Sequence, residues 1–202
     1  MEYRFKVVLL GEGAVGKSSL LLRYVENKFV AHHNSTIQAS FLSKSITIDD
    51  KMIELNIWDT AGQEKYHALG PIYYRGSHGA LLIYDITDQQ SFVKVKVWVK
   101  ELQRALGDSV SLFIIGNKLD LESNRTINYE EATEYAKSVG ASYAETSAKE
   151  NLGICNVFEE LCRAMLEAAK ENPNNNRGNV SNTRRTIELM DDEPSSRKSK
   201  CC

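Results

Sequence analysis

Between a nearly continuous apolar run, Phe5 to Leu10, and a helix-forming stretch that starts at Lys17, the chain carries Gly11-Glu12-Gly13-Ala14-Val15-Gly16-Lys17-Ser18. The pattern G-x-x-x-x-G-K-[ST], set between a buried strand and a helix, is the sequence form of a phosphate-binding loop. Small residues let the backbone curl so that successive N–H groups converge on phosphate oxygens, and the following helix turns its positive end to the same point. Strand, loop and helix must therefore pack as the opening of an α/β unit. Phosphate contacts are expected from Gly13, Ala14, Val15, Gly16, Lys17 and Ser18, with Ser19 next in line. Lys17 would reach the β and γ phosphates, and Ser18 would give its hydroxyl to Mg²⁺, a hard ion that takes oxygen ligands.

The rest of the chain agrees with that beginning. Gly79 to Tyr84 and Leu112 to Ile115 are near-continuous apolar runs, as in strands buried on both faces of a parallel sheet. Helical spacing marks Lys17 to Glu26, then Phe92, Val95, Val99, Leu102 and Leu106, then Ile154, Phe158, Leu161 and Met165. Strands alternate with helices, so the class is α/β. Phe41 to Asp59 reads differently: two extended runs joined through Asp49-Asp50-Lys51 predict a hairpin and one antiparallel strand. At 202 residues one domain with a tail is expected. The composition turns to Asn, Ser, Arg and acidic residues after Lys170, with Pro173 and Pro194, so residues 1–170 are read as the domain and 171–202 as a disordered tail.

Composition excludes several classes. A net charge of -2, with 42% apolar and 26% charged residues, gives no electrostatic footprint for nucleic acid. No run of about 18 apolar residues exists, and Met1-Glu2-Tyr3-Arg4-Phe5-Lys6 places charge where an export signal needs its apolar stretch, so a cytosolic protein is expected. Cys155 and Cys162, two helical turns apart, read as buried core thiols rather than a metal site or disulfide. Sequons at Asn34, Asn124 and Asn179 are then silent.

Asp59 ends a predicted strand in Trp58-Asp59-Thr60-Ala61-Gly62-Gln63-Glu64. The Gly62 N–H can approach a γ phosphate and Gln63 can orient a water, so the group suits in-line attack on that phosphate, with Asp59 on the metal. Farther on, Asn117-Lys118-Leu119-Asp120 follows a buried strand. Guanine presents two donors, N1–H and N2–H, and the Asp120 carboxylate can accept from both. Ser147-Ala148-Lys149, after a short strand around Tyr143 to Glu145, would offer the Ala148 N–H to guanine O6.

GEGAVGKS, DTAGQE, NKLD and ETSAK, in this order and spacing, resemble the Ras-superfamily small GTPases over residues 3 to 170. Ile37-Gln38-Ala39-Ser40-Phe41, Tyr73-Tyr74-Arg75-Gly76-Ser77, Leu82-Ile83-Tyr84-Asp85-Ile86-Thr87 and the terminal Cys201-Cys202 are similar to diagnostic stretches of the Rab proteins. Tyr66 to Tyr74 looks most like their early-endosomal branch. The resemblance implies a P-loop G domain: a six-stranded, mostly parallel sheet with one antiparallel strand, helices on both faces, and nucleotide outside the carboxyl ends of the strands. It implies Thr36 on the metal and γ phosphate, Phe29 at the edge of the base, and base-side contacts from Asn117, Lys118, Asp120, Ser147, Ala148 and Lys149. It implies effector contacts from Ile37, Phe41, Trp58 and Tyr73, and geranylgeranyl groups on Cys201 and Cys202; two chains anchor stably where one does not. The partners implied are an exchange factor, a GTPase-activating protein, effectors, a GDP-dissociation inhibitor and a prenylation escort protein. The place implied is the cytoplasmic face of endosomal membranes, in exchange with the cytosol. Gln38-Ala39-Ser40 replaces the commoner Gly-Val-Glu, and Lys65 stands where Arg is commoner; both bear on partner choice.

The chemistry expected is a slow hydrolysis of GTP to GDP and phosphate, with Gln63 positioning water and Lys17 and Mg²⁺ neutralising charge. No arginine is evident in cis, so a partner would supply the rate. While the γ phosphate persists, Thr36 and Gly62 would hold two loops ordered for effectors. Two rivals stay open: an ATP-using kinase or ATPase, against which Asn117 to Asp120 argues, and a nucleotide-dependent scaffold without hydrolysis, against which Gln63 argues weakly.

Overall fold

Every second residue of the first strand faces a different helical layer, and that alternation organises the molecule. The computed structural model describes residues 2–31, 36, 39–60 and 73–171. The described strands are β1 (Glu2–Leu10), β2 (Ser40–Ile48), β3 (Lys51–Asp59), β4 (Gly79–Asp85), β5 (Ser111–Asn117) and β6 (Ser142–Thr146). The helices are α1 (Lys17–Glu26), α2 (Gln89–Leu106), α3 (Tyr129–Ser138) and α4 (Ile154–Glu171). Phe5, Val7 and Leu9 of β1 lie in one apolar cluster with Leu20, Leu21 and Tyr24 of α1 and Phe158, Leu161 and Met165 of α4. Val8 and Leu10 lie in the other, with Phe92, Val95 and Val99 of α2 and Ala132 and Ala136 of α3. A strand sandwiched this way has no polar face to offer over its buried half, which is why Val7 to Leu10 are apolar without interruption while Glu2, Arg4 and Lys6 fall toward its exposed beginning.

The sheet order is β2-β3-β1-β4-β5-β6. Only the β2–β3 pair is antiparallel; β1 pairs parallel with β3 and β4, and the β4–β5 and β5–β6 pairs are parallel. The hairpin turn falls at Asp49 and Asp50, both left-handed with φ of 48° and 59°. A two-residue turn with both residues left-handed matches the twist of the strands it joins, and Asp tolerates it. Polar punctuation sets the helices as well: the Asp88 carboxylate accepts from the Gln90 N–H at the start of α2, and Asn27 closes α1 in a left-handed cap. The carboxyl ends of β1, β3, β4, β5 and β6 all point to one edge, where the loops 11–16, 59–60, 85–88, 117–124 and 147–152 gather.

The sequence expectations need two adjustments. Helix α3 is not among the sequence expectations; its fully buried residues are Ala132 and Ala136, with Tyr135 and Val139 half-buried beside them. The paired thiols separate: Cys162 is fully buried and Cys155 is exposed. Two helical turns do not restore a face completely, since seven residues at 3.6 per turn leave a drift of about 20°, and Cys155 sits in the first turn of α4, beside the exposed Leu152. Helix α4 runs to Glu171, and the expected tail otherwise lies outside the described residues.

Candidate functional site

The loop from Gly11 to Gly16 is built on left-handed backbone, with φ of 148° at Gly11, 63° at Ala14 and 96° at Gly16. Two of these positions admit no side chain. A Cβ on Gly11 would lie 2.2 Å from the Ile83 carbonyl oxygen of β4, and one on Gly16 would lie 2.5 Å from Asn117 Nδ2. The loop is thus pressed onto the sheet and onto the base-reading segment at once. Gly13 N–H also meets the Glu12 carboxylate at 3.2 Å, Val15 is buried, and Ser19 lies in the first turn of α1.

Lys17 folds back over this loop, its ammonium donating to the carbonyls of Gly11 and Glu12, each at 2.9 Å. The side chain is 5% exposed, and burial pushes its pKa down to about 8 against the opposing pull of Asp59 and Glu12. A buried ammonium whose direct partners are two neutral carbonyls is suited to an incoming polyanion. One residue on, Ser18 Oγ lies 2.8 Å from Thr36 Oγ1 and donates to Asp59 Oδ2. Asp59 is 2% exposed. Two hydroxyls and a carboxylate from three separate segments make a hard, all-oxygen donor set beside the phosphate loop, and this set fits Mg²⁺. Among the described residues no cluster of three His, Cys, Asp or Glu offers a competing metal site.

The base-side segments converge from β5 and β6. Asn117, 1% exposed, donates through Nδ2 to the Val15 carbonyl at 2.9 Å and accepts through Oδ1 from the Thr146 hydroxyl at 3.0 Å. Lys118 takes a left-handed backbone (φ 69°), and its ammonium pairs with Asp85 Oδ2 at 2.7 Å. Ser147 Oγ donates to Asp120 Oδ1 at 2.6 Å and accepts from the Glu150 N–H at 3.0 Å, while the Lys149 ammonium stands 3.7 Å from Asp120 Oδ2. Asp120 and Ala148 are therefore brought to one place, as a shared guanine site requires. Phe29 lies half-buried against the α1 side of the core, with the Arg23 guanidinium 5.8 Å from its ring centre.

On the far side of the metal residues the three aromatics also meet. Phe41 and Trp58 face each other across the β2–β3 ladder with ring centres 5.3 Å apart, Trp58 and Tyr73 are 6.1 Å apart, and Phe41 is 50% exposed. Gly62, Gln63, Ile37, Cys201 and Cys202 lie outside the described residues. Sequence reasoning passed over three contributors: Thr146, which orients Asn117; Asp85, which holds Lys118; and Arg23, which donates to the Ala148 carbonyl at 2.9 Å. Thr146 stands in the ETSAK run and Asp85 in the LLIYDIT run already singled out, whereas Arg23 carries no local signal beyond its place in the last turn of a helix.

Fold and site together define a P-loop G domain, with a phosphate loop after the first strand and two base-reading segments after the last two. The model of the Ras family matches residues 6–167, and the chain belongs to that family, in its Rab branch. It is 54% identical to the Ras-related protein Rab-21 of Mus musculus over 203 residues, 99% of this chain and 91% of the relative. The Homo sapiens Rab-21 is 54% identical over 205 residues (99% and 91%), and that of Dictyostelium discoideum 51% over 205 (100% and 97%). The chain is accordingly a small GTPase that binds GTP and GDP, hydrolyses GTP, and serves vesicle traffic on intracellular membranes with regulators and effectors. None of its described helices is long and apolar enough to cross a membrane.

Proposed function

We propose that this chain is an early-endosomal GTPase switch whose residues divide the labour as follows. Ser18, Thr36 and Asp59 hold Mg²⁺, which when bound neutralises the charge on the β and γ phosphates. The backbone of Gly13 to Ser19 cradles the phosphates, and Lys17 exchanges its two carbonyl partners for phosphate oxygens. Asp120 and the Ala148 N–H read guanine, steadied by Asn117, Lys118, Ser147 and Lys149, with Phe29 at its edge. Gln63 positions the attacking water and Gly62 meets the γ phosphate. Ile37, Phe41, Trp58 and Tyr73 meet effectors, since a partly exposed aromatic cluster next to the nucleotide-sensing loops is well placed as a binding anchor. Residues 1–170 form the G domain, and 171–202 tether it to membrane through geranylgeranyl groups on Cys201 and Cys202. An exchange factor, a GTPase-activating protein, a GDP-dissociation inhibitor and a prenylation escort protein complete the cycle.

The convergence of Ser18, Thr36 and Asp59 supports this most directly. It places the Ser18 hydroxyl of the phosphate loop within bonding range of both a hydroxyl from the segment before β2 and a carboxylate from the end of β3. Expressed with its tail intact, a tagged copy should sit on membranes carrying early-endosomal markers, and Ser18→Asn should send it to the cytosol. Wild-type protein found on another organelle would refute the endosomal assignment; a Ser18→Asn protein that keeps normal nucleotide affinity in Mg²⁺ would refute the metal assignment.

A further inference from the structure

Helix α1 begins at the phosphate loop and, about 15 Å later at 1.5 Å per residue, ends beside the base-reading turn at 147–152. Arg23, in its last turn, spans that junction. Its Nε donates to the Ala148 carbonyl at 2.9 Å, Nη2 to the Lys149 carbonyl at 3.2 Å, and Nη1 to the Asn27 carbonyl at 3.0 Å. The same guanidinium stands 5.8 Å from the centre of the Phe29 ring. A planar fork with donors fixed in direction can satisfy three carbonyls while stacking near a ring; a lysine ammonium cannot.

The turn it grips is otherwise held from one side. Ser147 and Leu152 exchange backbone hydrogen bonds at 3.1 and 3.0 Å, which fixes the peptide entering Ala148. The peptide leaving Ala148 is fixed by Arg23. The Ala148 N–H belongs to the first of these peptides, directly before the one that Arg23 holds, and it donates to no group among the described residues. A donor aimed by constraints on both flanks and left without a protein acceptor is preorganised for a ligand acceptor.

We infer that Arg23 is a positioning residue for base recognition: by holding the Ala148 and Lys149 carbonyls and underlying Phe29, it aims the Ala148 N–H at the six-position of the purine. This rests on the proposed contact between Ala148 and guanine O6. It differs from a general role in stability because it predicts coupling to one atom of the ligand. The phosphates, the ribose and the two-position of the base should feel Arg23 only weakly.

The test uses the full-length protein and two ligands, GDP and 2-aminopurine riboside 5′-diphosphate, which keeps the two-amino group and lacks both O6 and the N1 hydrogen; the lost N1–H bond to Asp120 is common to wild type and variants, so the change in ratio between them reports O6. Affinities come from competition against a fluorescent GDP, for wild type, Arg23→Ala and Arg23→Lys. In wild type the analogue should bind at least about tenfold more weakly than GDP, the size of one lost hydrogen bond in a prepared site. In Arg23→Ala that ratio should shrink by about threefold or more, because a loosened turn has less to lose, and GDP release should quicken by roughly tenfold. Arg23→Lys should recover little of either. An undiminished ratio in Arg23→Ala overturns the inference, even if the variant binds both ligands less tightly, since that pattern reports loss of general stability. A wild-type ratio near one refutes the O6 contact itself and removes the inference with it. Because the ratio is taken within each variant, reduced folding of a variant does not disturb the comparison.

Discussion

Asp120→Asn offers the most exacting check on how this site chooses its base. In the structure Ser147 Oγ accepts from the Glu150 N–H, so its own proton is free to go to Asp120 Oδ1, 2.6 Å away. An asparagine at 120 must therefore turn its carbonyl to Ser147 and place its amide nitrogen where Oδ2 stood. That position changes from acceptor to donor. With guanine, one charge-assisted hydrogen bond is lost and the two-amino group then faces another N–H, together roughly 3–4 kcal/mol, or on the order of 10² to 10³ in affinity. Xanthine carries a carbonyl at the two-position and meets the new donor. Competition of GDP and XDP for the purified full-length variant should therefore reverse the wild-type order. GDP affinity within about threefold of wild type would refute Asp120 as the base acceptor. Loss of GDP with no gain of XDP would refute the amide orientation that Ser147 is said to impose.

Further consequences can be measured separately. Phe158 is fully buried and stacks on Tyr24 with ring centres 3.7 Å apart; Phe158→Ala should cost about 3–5 kcal/mol and lower the GDP-bound Tm by roughly 10 °C, and a shift under about 3 °C would show that the site collapses around the gap. Phe41→Ala removes a half-exposed ring, so it should leave Tm nearly unchanged while abolishing capture of effectors in the GTP state; intact capture would take the aromatic trio out of the effector surface. Burial, aided by Glu159, pushes the Cys162 thiol up to about 12. Cys162 is thus protonated folded and unfolded below pH 9, and above pH 9 only the unfolded chain sheds the proton, so its contribution to stability is lost as pH rises through 9 toward 12. Iodoacetamide labelling read by peptide mass mapping at pH 8 should mark exposed Cys155 and spare Cys162, and equal labelling would contradict their separation.

Much of this was legible because the physics is local. A strand buried on both faces is apolar nearly throughout its buried span, so β4, β5 and the second half of β1 announced themselves, and the Asp49-Asp50 pair marked a turn that few residue types accept. The phosphate loop needs small residues because the Ile83 carbonyl and Asn117 leave no space. Helix α3 is harder to read because its stripe, Ala132, Tyr135 and Ala136 with Val139 just past its end, has the helical spacing but is carried by two small and two half-buried side chains. Cys155 was misread because helical spacing gives a direction and not a depth, and the end of a helix can protrude past the sheet that buries its middle. Arg23 was invisible for another reason: its partners are carbonyls 125 and 126 positions away in the chain, and a backbone acceptor leaves no trace in sequence.

Asn117 touches the phosphate side through Val15 and the base side through Thr146. A nucleotide held by two independent clamps could be released in stages, phosphates first and base later, with the empty half reclosing between attempts. A shared post works against such half-measures, since moving the phosphate loop disturbs the residue that Thr146 at the end of β6 is bonded to. The two halves of the site are thus joined by a single buried amide, and a disturbance of either is passed to the other.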